Sequence, residues 1–88
     1  MVNIYKYPLE WTTSQTVKCR GDQILDIQIQ NNRPVMWVLE QDDSKEKDIT
    51  IVLRGTGTAV LDNLDDYFYI STTQCDGFVW HWFEEEHY

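Results

Sequence analysis

The stretch Arg54-Gly55-Thr56-Gly57 is the first place in the chain where residue type and spacing suggest chemistry. Glycines let backbone N–H groups approach an anion closely, and the adjacent guanidinium would pair with it. The stretch lacks the lysine of a P-loop and the helix and spacing of a dinucleotide fingerprint, so it reads as neither. Two glycines closing a β segment also mark a bulge or a turn that needs positive φ, and this is the competing reading.

Histidine and cysteine supply the other reactive groups. His81 sits between Trp80 and Trp82, and His87 lies near the C-terminus. A zinc site needs three or four convergent ligands, whereas His81, Glu84 and His87 on an extended chain point in alternating directions. No metal site and no cofactor are expected. Cys19 and Cys75 are too few and too far apart for a disulfide framework and form no CxxC pair, so both are read as reduced and structural. No Ser or Cys nucleophile is set beside a base by a local motif. The chain is therefore expected to bind rather than to catalyse, with no catalytic residue assigned.

The elements that would carry these groups are extended. Asn3 to Tyr7 opens the chain and Pro8 bounds it; Ser14 to Lys18 is a second extended piece. Along Gln23 to Gln30, Leu25, Ile27 and Ile29 fall on one face and Asp26, Gln28 and Gln30 on the other, the period-two pattern of a half-buried strand. Asn31-Asn32-Arg33-Pro34 reads as a tight turn leading into Val35 to Glu40. That second arm is apolar on both faces, with Val35, Trp37 and Leu39 opposite Met36 and Val38, so it should lie centrally or meet a partner.

Gln41 to Lys47 is a charged loop, and Asp48 to Arg54 resumes the β pattern with Ile49, Ile51 and Leu53 on one face. One short helical turn fits Asp62 to Asp66. Tyr67 to Thr73 and Phe78 to Glu84 then form a pair whose Asp76-Gly77 step suits a hairpin. Phe78, Trp80 and Trp82 share one face of the last strand and Val79, His81 and Phe83 the other. This strand is either sandwiched centrally or presents aromatics to a ligand or a second copy. Six to seven strands at this spacing predict an all-β fold, a small antiparallel β-sandwich or barrel-like domain, over residues 1–88 as a single domain.

An 88-residue chain buries a thin core, so its four tryptophans, five tyrosines and three phenylalanines should matter to stability, and self-association into a homo-oligomer is expected to add to it. No apolar run approaches the length of a membrane span, and no basic segment followed by an apolar stretch opens the chain; a cytosolic location without membrane contact is the expectation. Fifteen acids against seven bases give a formal net charge of -8. Such a field repels the phosphate backbone, so direct binding to duplex nucleic acid is not expected. The acids cluster at Asp42, Asp43, Glu46 and Asp48, at Asp62, Asp65 and Asp66, and at Glu84, Glu85 and Glu86. Two readings follow: a solvated surface that keeps an aromatic-rich domain soluble, or a surface that imitates nucleic acid before a basic protein.

Several runs occur together: Ile4 to Glu10, Gln23-Ile24-Leu25 with Ile27 through Pro34 into Trp37-Val38-Leu39, Gly55-Thr56-Gly57, and Phe78-Val79-Trp80-His81 with Phe83-Glu84. As a set they resemble a family of short uncharacterised proteins encoded by tailed phages and prophages, over nearly the whole chain. The resemblance transfers no catalytic or binding residue; it implies variation between Gly57 and Tyr67, and a setting. Small accessory phage proteins commonly interfere with host immunity, which implies a non-enzymatic anti-defence or host-takeover factor in the host cytoplasm that occludes a host protein with its acidic surface. A second expectation is an oligomeric sponge for a nucleotide second messenger. Arg33, Arg54, Gly55, Thr56 and Gly57 would hold its phosphates, and Trp37, Trp80 or Trp82 would supply the ring surface. A third is a minor virion structural or decoration protein with a large apolar self-interface.

Overall fold

Two asparagines with positive φ, Asn31 (52°) and Asn32 (65°), and the pair Asp76 (54°) and Gly77 (82°) close two tight hairpins. Consecutive left-handed residues of this kind match the twist of the strands they join, and Asn, Asp and Gly adopt them at least cost. The computed structural model describes residues 1–57 and 64–86, with the side chains of Asp22 and Leu64 left aside. Within them are seven strands: β1 (Val2–Pro8), β2 (Ser14–Cys19), β3 (Gly21–Gln30), β4 (Arg33–Gln41), β5 (Lys47–Gly55), β6 (Tyr67–Cys75) and β7 (Phe78–Glu85), with a 3-10 turn at Leu64–Asp66 before β6.

The strands form two antiparallel sheets, ordered β1-β4-β3 and β2-β5-β7-β6. The expected small antiparallel β fold is the one observed. The two strands that are apolar on both faces take inner positions, β4 in the first sheet and β7 in the second, and β5 is the second inner strand of that sheet. Met36 and Val38 from β4, Ile27 from β3, Ile49, Ile51 and Leu53 from β5, and Trp82 from β7 meet between the sheets with Leu9 and Cys19. The Trp82 indole is fully buried, and its Nε1–H donates to Thr73 Oγ1 at 3.0 Å, so the largest core side chain leaves no polar atom unpaired. Along one side the sheets are tied by Ser71 Oγ, which donates to the Ile27 carbonyl at 2.9 Å.

One pattern is corrected. Leu25, Ile27 and Ile29 do not share a face, because a β-bulge between Ile24 and Asp26 shifts the register against β4. The extra residue turns Leu25 outward, 42% exposed, and Ile24 packs against the core instead. A single residue, Arg20, separates β2 from β3. The chain passes so close to β4 there that a Cβ on Gly21 would overlap the Val38 side chain.

Candidate functional site

The two hairpin turns, the β1–β2 loop and the end of β5 gather at one end of the sandwich, where β7 enters at Phe78 and β5 leaves at Gly55. An open cleft of about 620 Å³ lies there, lined by Trp11, Thr12 and Thr13 from the loop, Leu53, Arg54 and Gly55 from β5, Cys75 and Asp76 from the β6–β7 hairpin, and Phe78 and Trp80 from β7. Its wall is aromatic. Trp11 meets Trp80 at 5.8 Å between ring centroids and Trp82 at 5.9 Å, while Phe78 meets Trp80 at 5.8 Å. The interplanar angles of 49°, 41° and 36° curve this wall instead of stacking it flat. Phe78 is 61% exposed, a large apolar ring left facing solvent.

Specific bonds hold the wall in place. The Trp11 Nε1–H donates to the Asn32 carbonyl at 3.0 Å, and Leu9 N–H donates to the Pro34 carbonyl at 2.9 Å, so the β1–β2 loop is pinned to the β3–β4 hairpin. From the other side, Arg54 Nη1 donates to the carbonyls of Thr13 at 3.0 Å and Leu53 at 2.8 Å. Arg54 is thus a clamp that fastens the loop carrying Trp11 to β5. At the far side of the cleft, desolvation and the neighbouring Asp76 carboxylate push the Cys75 thiol above its ordinary pKa, which disfavours a reactive thiolate.

The residues singled out in the sequence separate into several places. Arg54, Gly55 and Trp80 line the cleft, and Trp82 lies beneath it in the core. Gly55-Thr56-Gly57 does not make a phosphate cradle. Gly55 stands in the ladder opposite Trp80, Thr56 N–H donates to the Val79 carbonyl at 3.2 Å, and Gly57, at φ 87°, forms the turn. Arg33 and Trp37 alternate with the buried Pro34, Met36 and Val38 and so belong to the outer face of the first sheet, and neither lines the cleft. On the outer face of the second sheet, His81 Nε2 lies 2.8 Å from Thr56 Oγ1, and His81 Nδ1 lies 3.1 Å from Thr72 Oγ1, which is 2.6 Å from the Tyr69 hydroxyl. Neither cysteine belongs to this chain of contacts.

The sequence reading of the site missed Trp11 altogether, and it held Phe78 only as an aromatic of the last strand's face and Asp76 only as a turn residue. Trp11, Phe78 and Asp76 come from opposite ends of the chain and meet only through the sheet order. The one local signal was Trp11 itself, a large ring in a loop with no apolar neighbours in the segment Glu10 to Ser14.

The acids also gather. Asp42, Asp43, Glu46 and Asp48 lie between β4 and the start of β5, Asp65 and Asp66 precede β6, and Glu84, Glu85 and Glu86 end β7. The register brings all three clusters to the end of the sandwich opposite the cleft, with Glu86 N–H donating to the Asp66 carbonyl at 2.8 Å and Asp48 4.0 Å from Lys18. Asp62 lies outside the described residues. Among the described residues, no three His, Cys, Asp or Glu side chains converge as a metal site. Among the described residues, no helix is long and apolar enough to cross a membrane.

Two packed antiparallel sheets with an aromatic cleft at the turn end define this chain as a small β-sandwich domain. Over residues 1–88 it matches the family described as a domain of unknown function (DUF7352), and it belongs to that family. No curated protein and no solved structure matches it.

Proposed function

We propose that this domain is a non-enzymatic binding factor that covers a basic surface of a host protein, anchored through the aromatic cleft. The observation that carries this reading is an open cleft walled by Trp11, Phe78 and Trp80 in a chain of net charge -8. Solvent-facing tryptophan and phenylalanine rings in a concave site are the usual anchors of protein interfaces. The acidic end, opposite the cleft, adds a long-range field that draws basic partners in and repels nucleic acid. This reading takes its setting, an anti-defence or host-takeover agent in the host cytoplasm, from the resemblance to small phage and prophage proteins. The test is cross-linked capture from host extract at about 50 and about 500 mM salt, since Debye length shrinks several-fold across that range. A basic host protein retained by the wild type, lost at high salt and lost with Phe78→Ala supports the reading. A capture set unchanged by both salt and Phe78→Ala overturns it.

A nucleotide sponge is the second reading, and the size of the cleft favours it, since small-molecule sites span roughly 300–1,000 Å³. Against it stands the engagement of the Thr56 N–H and of Arg54 Nη1 with backbone carbonyls. Native mass spectrometry of protein purified from host cells separates the two. A nucleotide released on denaturation selects the sponge, and an empty species selects protein occlusion.

A further inference from the structure

We infer that the cleft recognises arginine specifically, taking the guanidinium of an arginine-bearing loop of the partner between its tryptophan and phenylalanine faces and the Asp76 carboxylate. This deepens the proposed function and rests on it. The faces of Trp11, Phe78 and Trp80 carry the negative lobe of the ring quadrupole, so they attract a cation laid over them. Successive tilts of 36° and 49° from Phe78 to Trp80 to Trp11 form a curved wall against which a flat group can lie on one ring while touching the next.

A guanidinium is flat, weakly hydrated and stacks on aromatic faces, whereas an ammonium is compact and strongly hydrated and gains less from the same surface. Asp76 supplies the second half of the recognition. It is an exposed carboxylate held at the β6–β7 turn by its own left-handed backbone and lines the same cleft, and a carboxylate accepts two parallel N–H bonds from a guanidinium.

The one cation already in the cleft does not oppose this arrangement. Arg54 belongs to β5, and β7 stands between it and β6, which carries the Asp76 turn. The Arg54 guanidinium also faces the Thr13 and Leu53 carbonyls, whose dipoles offset its charge. Charge complementarity at the cleft rests on Asp76, the carboxylate among its lining residues, and the net charge of -8 adds only a general preference for basic partners. The cleft, at about 620 Å³, has room for the flanking residues of a loop in addition to one side chain.

The test uses two tryptophan-free glycine–serine peptides of equal length, one bearing several arginines and the other the same number of lysines. Each is titrated into the full chain at about 50 mM salt and followed by the protein's own tryptophan fluorescence. The arginine peptide is expected to bind about tenfold more tightly than the lysine peptide, and Asp76→Asn is expected to abolish most of that difference. Asparagine tolerates the positive φ of position 76, so this variant keeps its fold, as circular dichroism would verify. Equal affinities for the two peptides, both falling with salt, would overturn arginine selectivity and leave the charge-driven reading standing. Binding of neither peptide would overturn that reading too. Tighter binding of adenosine or guanosine monophosphate than of the arginine peptide, lost with Phe78→Ala, would give the cleft to a nucleotide and overturn both.

Discussion

Trp11 and Asn32 are joined by an indole N–H to carbonyl bond of 3.0 Å, and that bond couples a loop of the chain's first segment to the turn of the β3–β4 hairpin. The acceptor belongs to a residue held at φ 65°, so one left-handed turn serves both to reverse the chain and to position the wall of the cleft. Replacing Trp11 by phenylalanine removes the donor while keeping a ring. Denaturant unfolding is expected to show a loss of about 1 kcal/mol, the usual net worth of such a bond, with the slope of the transition unchanged.

Arg54 acts on the same loop from the opposite side, through the Thr13 and Leu53 carbonyls. Arg54→Met retains most of the aliphatic stem and deletes the clamp. Amide exchange in the segment from Trp11 to Thr13 is expected to accelerate while the core strands β4 and β5 keep their protection. Uniform acceleration across all strands would show instead that Arg54 supports the whole fold.

Tyr7 donates its phenolic hydrogen to the Glu40 carboxylate between the sheets, and Glu40 is a buried acid. Burial first, and then the Glu40 hydrogen bond and charge, hold the Tyr7 hydroxyl well above its ordinary pKa. The folded protein therefore keeps this proton at a pH where the unfolded chain has released it. Stability should be complete below about pH 10, the unfolded value, and fall as pH rises above it. Tyr7→Phe is expected to lower stability at neutral pH and to flatten this alkaline decline, as read from denaturation midpoints at a series of pH values.

Asp26 has the opposite sign. Burial pushes its carboxyl up, but hydrogen bonds from the Gln28 amide and the Ile27 backbone N–H, with the Ser71 hydroxyl dipole close by, outweigh this and leave it below its ordinary value. Its contribution is present above the unfolded value near pH 4 and is lost as pH falls below it. Asp26→Asn should weaken the fold at neutral pH and make the acid limb of the stability profile shallower. An unchanged acid limb would assign that limb to other carboxylates.

Gly77 holds φ 82° with open space around its Cα, so its constraint is conformational and not steric. Gly77→Ala is expected to cost about 1 kcal/mol, and Gly77→Asn clearly less, because asparagine visits the left-handed region more readily. Gly21 offers the converse case. Its alanine variant meets the Val38 side chain directly, and a larger loss is expected in the same denaturation assay.

Where local chemistry decides the structure, the residues announce it. Asn31-Asn32 and Asp76-Gly77 mark their turns because few side chains tolerate positive φ, and the two-faced apolar runs of β4 and β7 mark inner strands, each with a neighbour along both edges. The β3 bulge carries no such mark. Leu25 and Ile24 are both apolar, and only the pairing with β4 determines which one turns inward. The cleft is hidden for a related reason. Phe78 and Trp80 belong visibly to one strand face, but Trp11 joins them only once β1 has paired with β4 and β2 with β5. Likewise Arg54 beside two glycines suggests an anion site, and the carbonyls that claim its guanidinium come partly from a loop far away in sequence.

The strand order β1-β4-β3 and β2-β5-β7-β6 also has a kinetic meaning. Among the described residues, only β3–β4 and β6–β7 pair with their immediate neighbour in the chain through two-residue turns, and each sheet owns one of them. These hairpins can close within microseconds, whereas β1 and β2 must wait for β4 and β5 to be made and positioned. During synthesis β1 leaves the ribosome before β4, and it is therefore among the last of these strands to find its place. Until then Val2 and Ile4 accompany an unpaired strand edge, and the nascent chain passes through its most aggregation-prone interval before the cleft at the other end has closed around Trp11.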